Sequence, residues 1–249
     1  ELAGVTAFGF VVLAVVSAAV GYLLASLVWR WMVARKRQFG VLLLHGVLVL
    51  LTAQISLGHV TVWPLLALAA AHLIIDAVKT YGGFDGLTGF LCDQLAHLAT
   101  LVLVATLVPG LWASGFWAAQ PLLPPLMIIM AGAVLATRAG GFATALLMRD
   151  HEVSDTPEDA GLPGGGATIG LLERGLIYLL VLIGETGGIG FLVAAKSILR
   201  FGTVSGDRKA TEYVIIGTLF SFGWALIIAI AVQKLLIHLP PLEIIPKAT

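Results

Sequence analysis

The stretch that decides the fold runs from Tyr213 to Gln233 and reads YVIIGTLFSFGWALIIAIAVQ. It contains no Asp, Glu, Lys or Arg, and it has the roughly 20 apolar residues that a helix needs to cross a bilayer. Three further stretches lack the same four residue types, at 4–29, 38–75 and 94–137. The sequence therefore predicts an all-α, polytopic transmembrane bundle.

The composition of the whole chain agrees with this class. Only 11% of the 249 residues are charged and 59% are hydrophobic, whereas soluble domains carry about 25% charged residues. Fourteen basic and fourteen acidic residues give no net charge, so the basic surface that nucleic acid requires is not expected. The one cysteine, Cys92, excludes an internal disulfide and a thiolate metal cluster.

The apolar runs predict about seven spans in one integral membrane domain over 1–249. The basic cluster between the first two spans favours the cytoplasmic side, which places the N-terminus outside. The polar stretch at 149–168 is then a flexible cytoplasmic loop. Apart from the sixth segment, the predicted spans are 4–29, 39–57, 64–79, 87–107, 126–148 and 213–238.

The sixth segment, 171–201, is apolar but is interrupted by GETGG at 184–188. We expect one long tilted helix, and the alternative is a re-entrant hairpin. The long helix places Lys196 and Arg200 outside, against the preference of basic residues for the inside, whereas the hairpin keeps them inside. Both residues are candidate contacts for lipid phosphate or for a partner.

Two pairs of ionisable residues fall inside predicted spans, where such groups are costly and mark functional sites. His72 precedes Asp76 by four residues, and Asp93 precedes His97 by four, so each pair shares one helix face. The order is reversed between consecutive antiparallel spans. We therefore expect Asp76 to lie level with Asp93, and His72 level with His97.

Imidazole and carboxylate groups are ligands for zinc, manganese or iron, so these four residues predict a divalent metal site. His45 is a candidate outer ligand or orienting group, and Gln94 and Lys79 are candidate partners of the ligands. The alternatives are a polar network that only fixes helix packing, and a proton relay.

These motifs together resemble a bacterial membrane family, the domain of unknown function 3307. The resemblance supports the polytopic class, implies a bacterial inner membrane as the location, and brings no established activity. The family's first span carries a His-x3-Asp motif, where this chain has Tyr22 and Ser26. The stretches that carry the resemblance are Leu43–His45, His72–Lys79, Phe90–His97, Glu173-Arg174, Ala194–Phe201 and Glu212–Phe222.

The sequence leaves three functions open. The first is a metal site that hydrolyses a membrane-embedded substrate through a metal-bound water. The second is a non-catalytic accessory subunit of a larger membrane complex, which the loss of the first-span motif favours. The third is a proton or ion transporter. The expected partners are membrane lipids and other membrane subunits, and nucleic acid is not expected.

Overall fold

The computed structural model describes residues 31–32, 35, 37–60, 62–149, 162, 164–201 and 208–239. Most of the described residues are helical, and none of them forms a strand. The first predicted span, with Tyr22 and Ser26, lies outside them, as do 150–161 and 163 of the predicted loop. Of the remaining loop residues, Gly165 to Thr168 are already helical.

Seven helices are described, and six of them are long and apolar enough to cross a membrane. This result confirms a polytopic helical bundle of about seven spans. The helices are α1 (Phe39–Leu57), α2 (Trp63–Gly82), α3 (Leu87–Leu107), α4 (Leu123–Arg149), α5 (Gly165–Leu182), α6 (Gly187–Phe201) and α7 (Arg208–Leu236).

The chain divides into two compact units, 1–116 and 117–249. In the first unit, α1 packs on α2, and α2 packs on α3. Short turns join these helices, so consecutive helices run antiparallel. The prediction of a single integral membrane domain stays a prediction.

In the second unit, α7 packs along α5 and α4. The core between these helices is apolar and includes Ala136, Tyr178, Val181, Ala229 and Val232. Helix α4 contains one π-helical stretch, Leu135–Ala139, and continues as an α-helix on both sides of it. A π-helical turn inside an α-helix often marks a functional or strained position.

The prediction of one long helix over the sixth segment is wrong. Helix α5 ends at Leu182, and Gly184 has a φ of +80°, a backbone conformation that a helix excludes and glycine adopts readily. The chain then turns back. This is shown by the ion pair between Lys196 in α6 and Glu173 in α5. Helix α6 has 15 residues and is about 22 Å long, less than the about 30 Å of a bilayer core. The segment is a helical hairpin.

Candidate metal centre

Three helices of the first unit bring the predicted site residues together. His45 comes from α1, His72 and Asp76 from α2, and Asp93 and His97 from α3. The α2–α3 hairpin places the His72 and His97 rings 4.3 Å apart between centroids, in an edge-to-face arrangement. The two histidines therefore lie side by side, and Asp76 lies close to Asp93, as expected for pairs of reversed order on antiparallel helices.

The tightest part of the site is a triangle of His45, His72 and Asp76. Nε2 of His45 lies 3.0 Å from Nε2 of His72 and 3.0 Å from Oδ2 of Asp76. Nε2 of His72 lies 3.5 Å from the same oxygen. Ligand atoms about 2.0–2.1 Å from a tetrahedral zinc ion are about 3.3 Å from one another. The triangle has the size of one face of such a site.

His45 is therefore closer to the centre of the site than the sequence suggested. It was expected to be an outer ligand or an orienting group, and its Nε2 makes the two shortest contacts of the triangle. The periodicity of α1 does not show how that helix is rotated against its neighbours. The contact between the His45 and His72 nitrogens shows that α1 turns His45 toward α2.

Asp93 and His97 form the second part of the site. Oδ2 of Asp93 accepts hydrogen bonds from Nζ of Lys79 at 2.8 Å and from Nε2 of Gln94 at 3.0 Å. Nδ1 of His97 lies 2.8 Å from the backbone oxygen of Asp93, so Nδ1 carries the proton and donates it. In that tautomer the lone pair is on Nε2, as a metal ligand requires. Lys79 and Gln94 thus both donate to Asp93, and their role as partners of a metal ligand stays a prediction.

Both carboxylates of the site are buried among apolar helices. Asp76 is 4% exposed and Asp93 is 8% exposed. Among the described residues, two groups of side chains bring ligand atoms within 4.8 Å of one another: His45 with His72 and Asp76, and Asp76 with Asp93 and His97. Buried carboxylates need compensating charge, which the arrangement can obtain from a divalent cation.

A glycine sets the distance between α1 and α2 at this level. A Cβ atom on Gly46 would lie 2.5–2.6 Å from three side-chain atoms of Leu73, which is closer than carbon atoms approach. Gly46 follows His45, and Leu73 follows His72. The absence of a side chain at position 46 therefore leaves room for the Leu73 side chain next to the two imidazoles.

The second unit holds its own buried charges. Nζ of Lys196 lies 2.6 Å from Oε2 of Glu173 and 5.0 Å from the centroid of the Phe222 ring. The ammonium group predicted to contact lipid or a partner is thus paired within the chain. The side chain of Arg200, the other predicted contact, lies outside the described part of the structure.

Arg174 joins the π-helical stretch of α4 to α7, a role that the sequence did not reveal. Its Nε donates to the backbone oxygen of Thr137 at 3.0 Å, and its Nη1 donates to Oγ of Ser221 at 2.8 Å. Nε1 of Trp224 donates to the backbone oxygen of Leu135 at 2.9 Å. Two of these three donors bind carbonyl groups of the π-helical stretch, and the third binds the hydroxyl group of Ser221 in α7. The signal in the sequence was an arginine inside an apolar run, which must find partners in the bundle.

Comparison with protein families bears on the first unit. Residues 23–120 match a family model described as "Protein of unknown function (DUF3307)". The match confirms the resemblance over these residues, which include every residue of the candidate metal centre. The motifs from Glu173 onward and Tyr22 lie outside the matched range, so their assignment stays a prediction. Neither the curated proteins nor the solved structures yield a match to this chain.

Proposed function

We propose that this membrane protein binds a divalent transition-metal ion at the triangle of His45, His72 and Asp76. The observation that carries the proposal is the close approach of two imidazole nitrogens and one carboxylate oxygen, at 3.0, 3.0 and 3.5 Å. Three protein ligands of these types are the donor set of catalytic zinc sites, in which the fourth position holds water or substrate.

The types of donor select the class of metal. Imidazole suits zinc, iron and copper, whereas magnesium and calcium prefer sites made entirely of oxygen atoms. The donors here are histidine nitrogens together with carboxylate oxygens, so we favour zinc, with iron or manganese as alternatives. The chemistry that such an ion supplies is hydrolysis by a metal-bound water, and the surrounding helices suggest a membrane-embedded substrate.

A second candidate function is a non-catalytic subunit of a membrane complex. It is favoured by the contact between the His45 and His72 nitrogens, which one shared proton turns into a hydrogen bond. The bonds of Lys79 and Gln94 to Asp93 also join helices and fix a side chain. In this reading the polar groups hold α1, α2 and α3 together and bind no ion.

The proposed location is the bacterial inner membrane, with lipids and other membrane subunits as partners. The basic residues between the first two predicted spans support a cytoplasmic position for that loop, an outside N-terminus and an inside position for 149–168. The hairpin of α5 and α6 supports the same orientation. It returns Lys196 to the level of Glu173 instead of carrying it to the opposite side.

The experiment is zinc titration of the full chain in detergent against a competing chelator dye. We expect His72→Ala and Asp76→Asn each to weaken zinc binding by at least about tenfold, since each removes one ligand. The matched control is His59→Ala, because His59 lies in the turn after α1 and contacts the backbone oxygen of Leu111. Equal affinity in all three variants and the wild type contradicts the proposal.

A further inference from the structure

Five side chains supply donors to the candidate metal centre, and they divide into two groups that share one carboxylate. The first group is His45, His72 and Asp76, and the second is Asp76, Asp93 and His97. A tetrahedral ion takes four ligands, so five donors are more than one such ion can bind. A carboxylate has two oxygens, so Asp76 can serve two ions at once.

We propose that the centre binds two divalent ions bridged by Asp76, and that the ion pair binds an oxyanion of the phosphate class. This inference rests on the proposed function, because the first ion is the one held by His45, His72 and Asp76. The second ion is held by Asp76, Asp93 and His97. Pairs of metal ions about 3.5–4 Å apart clamp the oxygens of phosphoryl groups in many hydrolases.

Two atoms of the second group point to a missing ligand. Oδ1 of Asp93 and Nε2 of His97 are buried and have no hydrogen-bond partner among the described residues. The side chain of Asp93 is 6% exposed, so water does not readily satisfy its second oxygen. Leaving a buried polar atom without a partner is unfavourable, and it is more unfavourable for a charged group. A metal ion bound to both atoms removes that cost.

The other atoms of the same two residues are already engaged. Lys79 and Gln94 donate to Oδ2 of Asp93, and Nδ1 of His97 donates to the backbone oxygen of Asp93. These bonds fix the carboxylate and the imidazole while one ligand atom of each stays available. A ligand held in this way is typical of metal sites, whose ligands are oriented by hydrogen bonds on their far side.

The charges of the centre indicate the class of its ligand. Two divalent ions and the Lys79 ammonium group bring five formal positive charges, and Asp76 and Asp93 bring two negative ones. Three positive charges remain without a counterion in a buried site, which is unfavourable unless an anion binds. A phosphate group carries a charge of about −1.5 to −2 at pH 7, which compensates most of this excess, and it offers oxygens to both ions. Phosphate held by a lipid headgroup and free phosphate share this chemistry.

The number of ions per chain tests the first half of the proposal. Zinc bound to the full chain in phosphatidylcholine nanodiscs is counted after removal of free metal. We expect two ions in the wild type and in His59→Ala, and one ion in His45→Ala and in His97→Ala. One ion in the wild type overturns this inference and leaves the proposed function standing, whereas no ion overturns both. If His97→Ala does not fold, Asp93→Asn replaces it, because asparagine has nearly the same shape as aspartate. Asp93→Asn is also expected to keep one ion. Two ions bound to Asp93→Asn overturn the inference.

Added anions test the second half. We expect inorganic phosphate, or phosphatidic acid in the nanodisc, to tighten binding of the second zinc ion by at least about tenfold. Tightening by inorganic phosphate assigns the free anion, and tightening by phosphatidic acid alone assigns a lipid headgroup. If neither addition changes the affinity of the second ion, the oxyanion part of the proposal is wrong.

Discussion

Substitution of Gly46 by alanine tests whether the approach of α1 to α2 creates the metal site. The added Cβ would lie 2.5–2.6 Å from three side-chain atoms of Leu73. Ordinary carbon contacts are about 3.5–4.0 Å long, so either Leu73 or the helix must move by about 1 Å. The neighbouring His45 and His72 nitrogens are 3.0 Å apart, and metal–ligand distances tolerate only about 0.2 Å of error.

The cost of this change follows from packing data on other proteins. Overpacking by one methyl group costs about 1–3 kcal/mol. If separation of the helices relieves the strain, zinc affinity falls by about 5- to 140-fold, since each 1.4 kcal/mol is a factor of ten. We expect Gly46→Ala to weaken zinc binding by an amount in this range while the helical circular dichroism is retained.

Two further variants make the Gly46 experiment decisive. Gly40→Ala is the matched control, because a Cβ at position 40 of the same helix meets no atom within 4 Å. The double variant Gly46→Ala with Leu73→Ala removes the side chain that the new methyl group meets, and we expect it to recover zinc affinity. Wild-type affinity in Gly46→Ala would refute the reasoning that this contact sets the ligand geometry.

Three other predictions concern the ion pair, the π-helical stretch and the effect of acid. Lys196→Met should destabilise the chain by about 3–5 kcal/mol, because it leaves Glu173 buried without its partner. Thermal unfolding in detergent measures this loss of stability. Addition of Glu173→Gln to the Lys196→Met variant should restore much of the loss. Trp224→Phe should lower the free energy of unfolding by about 1 kcal/mol, because the backbone oxygen of Leu135 loses a donor. Trp63→Phe, at a residue that is 69% exposed, should lower it less. Zinc affinity should fall by more than about tenfold from pH 7.5 to pH 5.5, because imidazole must be deprotonated to bind metal; a flat titration would contradict histidine ligation.

The spans were predictable where the apolar runs have clear ends. The predicted bounds 39–57 and 87–107 are those of α1 and α3. Gly58 follows the first run, Gly86 precedes the second, and Pro109-Gly110 comes shortly after it. The third predicted span, 64–79, is shorter than α2, which continues to Gly82. Hydropathy gives the length of an apolar run, and the last turn of a helix depends on local backbone bonds that hydropathy does not describe.

The hairpin of α5 and α6 shows what hydropathy alone does not reveal. A run of 31 residues at 171–201 is apolar whether it forms one helix or two. The deciding features are the positive φ of Gly184 and the ion pair of Glu173 with Lys196. These two charged residues lie almost equally far from Gly184 along the chain, one on either side, and this symmetry is already present in the sequence.

The sequence predicted the two pairs of histidine and aspartate in the candidate site, but it did not predict the central position of His45. The spacing of His72 with Asp76 and of Asp93 with His97 predicted which faces of α2 and α3 meet, because four residues are about one helical turn. The position of His45 depends on the rotation of α1, and at this level Gly46 of α1 faces Leu73 of α2. That contact is long-range, and no local pattern in either helix indicates it.

X-ray absorption of the zinc-loaded protein tests the central claim most directly, because it measures the atoms around the ion. The account predicts nitrogen and oxygen neighbours at about 2.0–2.1 Å, with the outer scattering of imidazole rings that disappears in part in His72→Ala. It predicts an unchanged spectrum for His59→Ala. A shell of oxygens without imidazole scattering, the same in all three proteins, would contradict a metal centre built from the histidines of α1, α2 and α3.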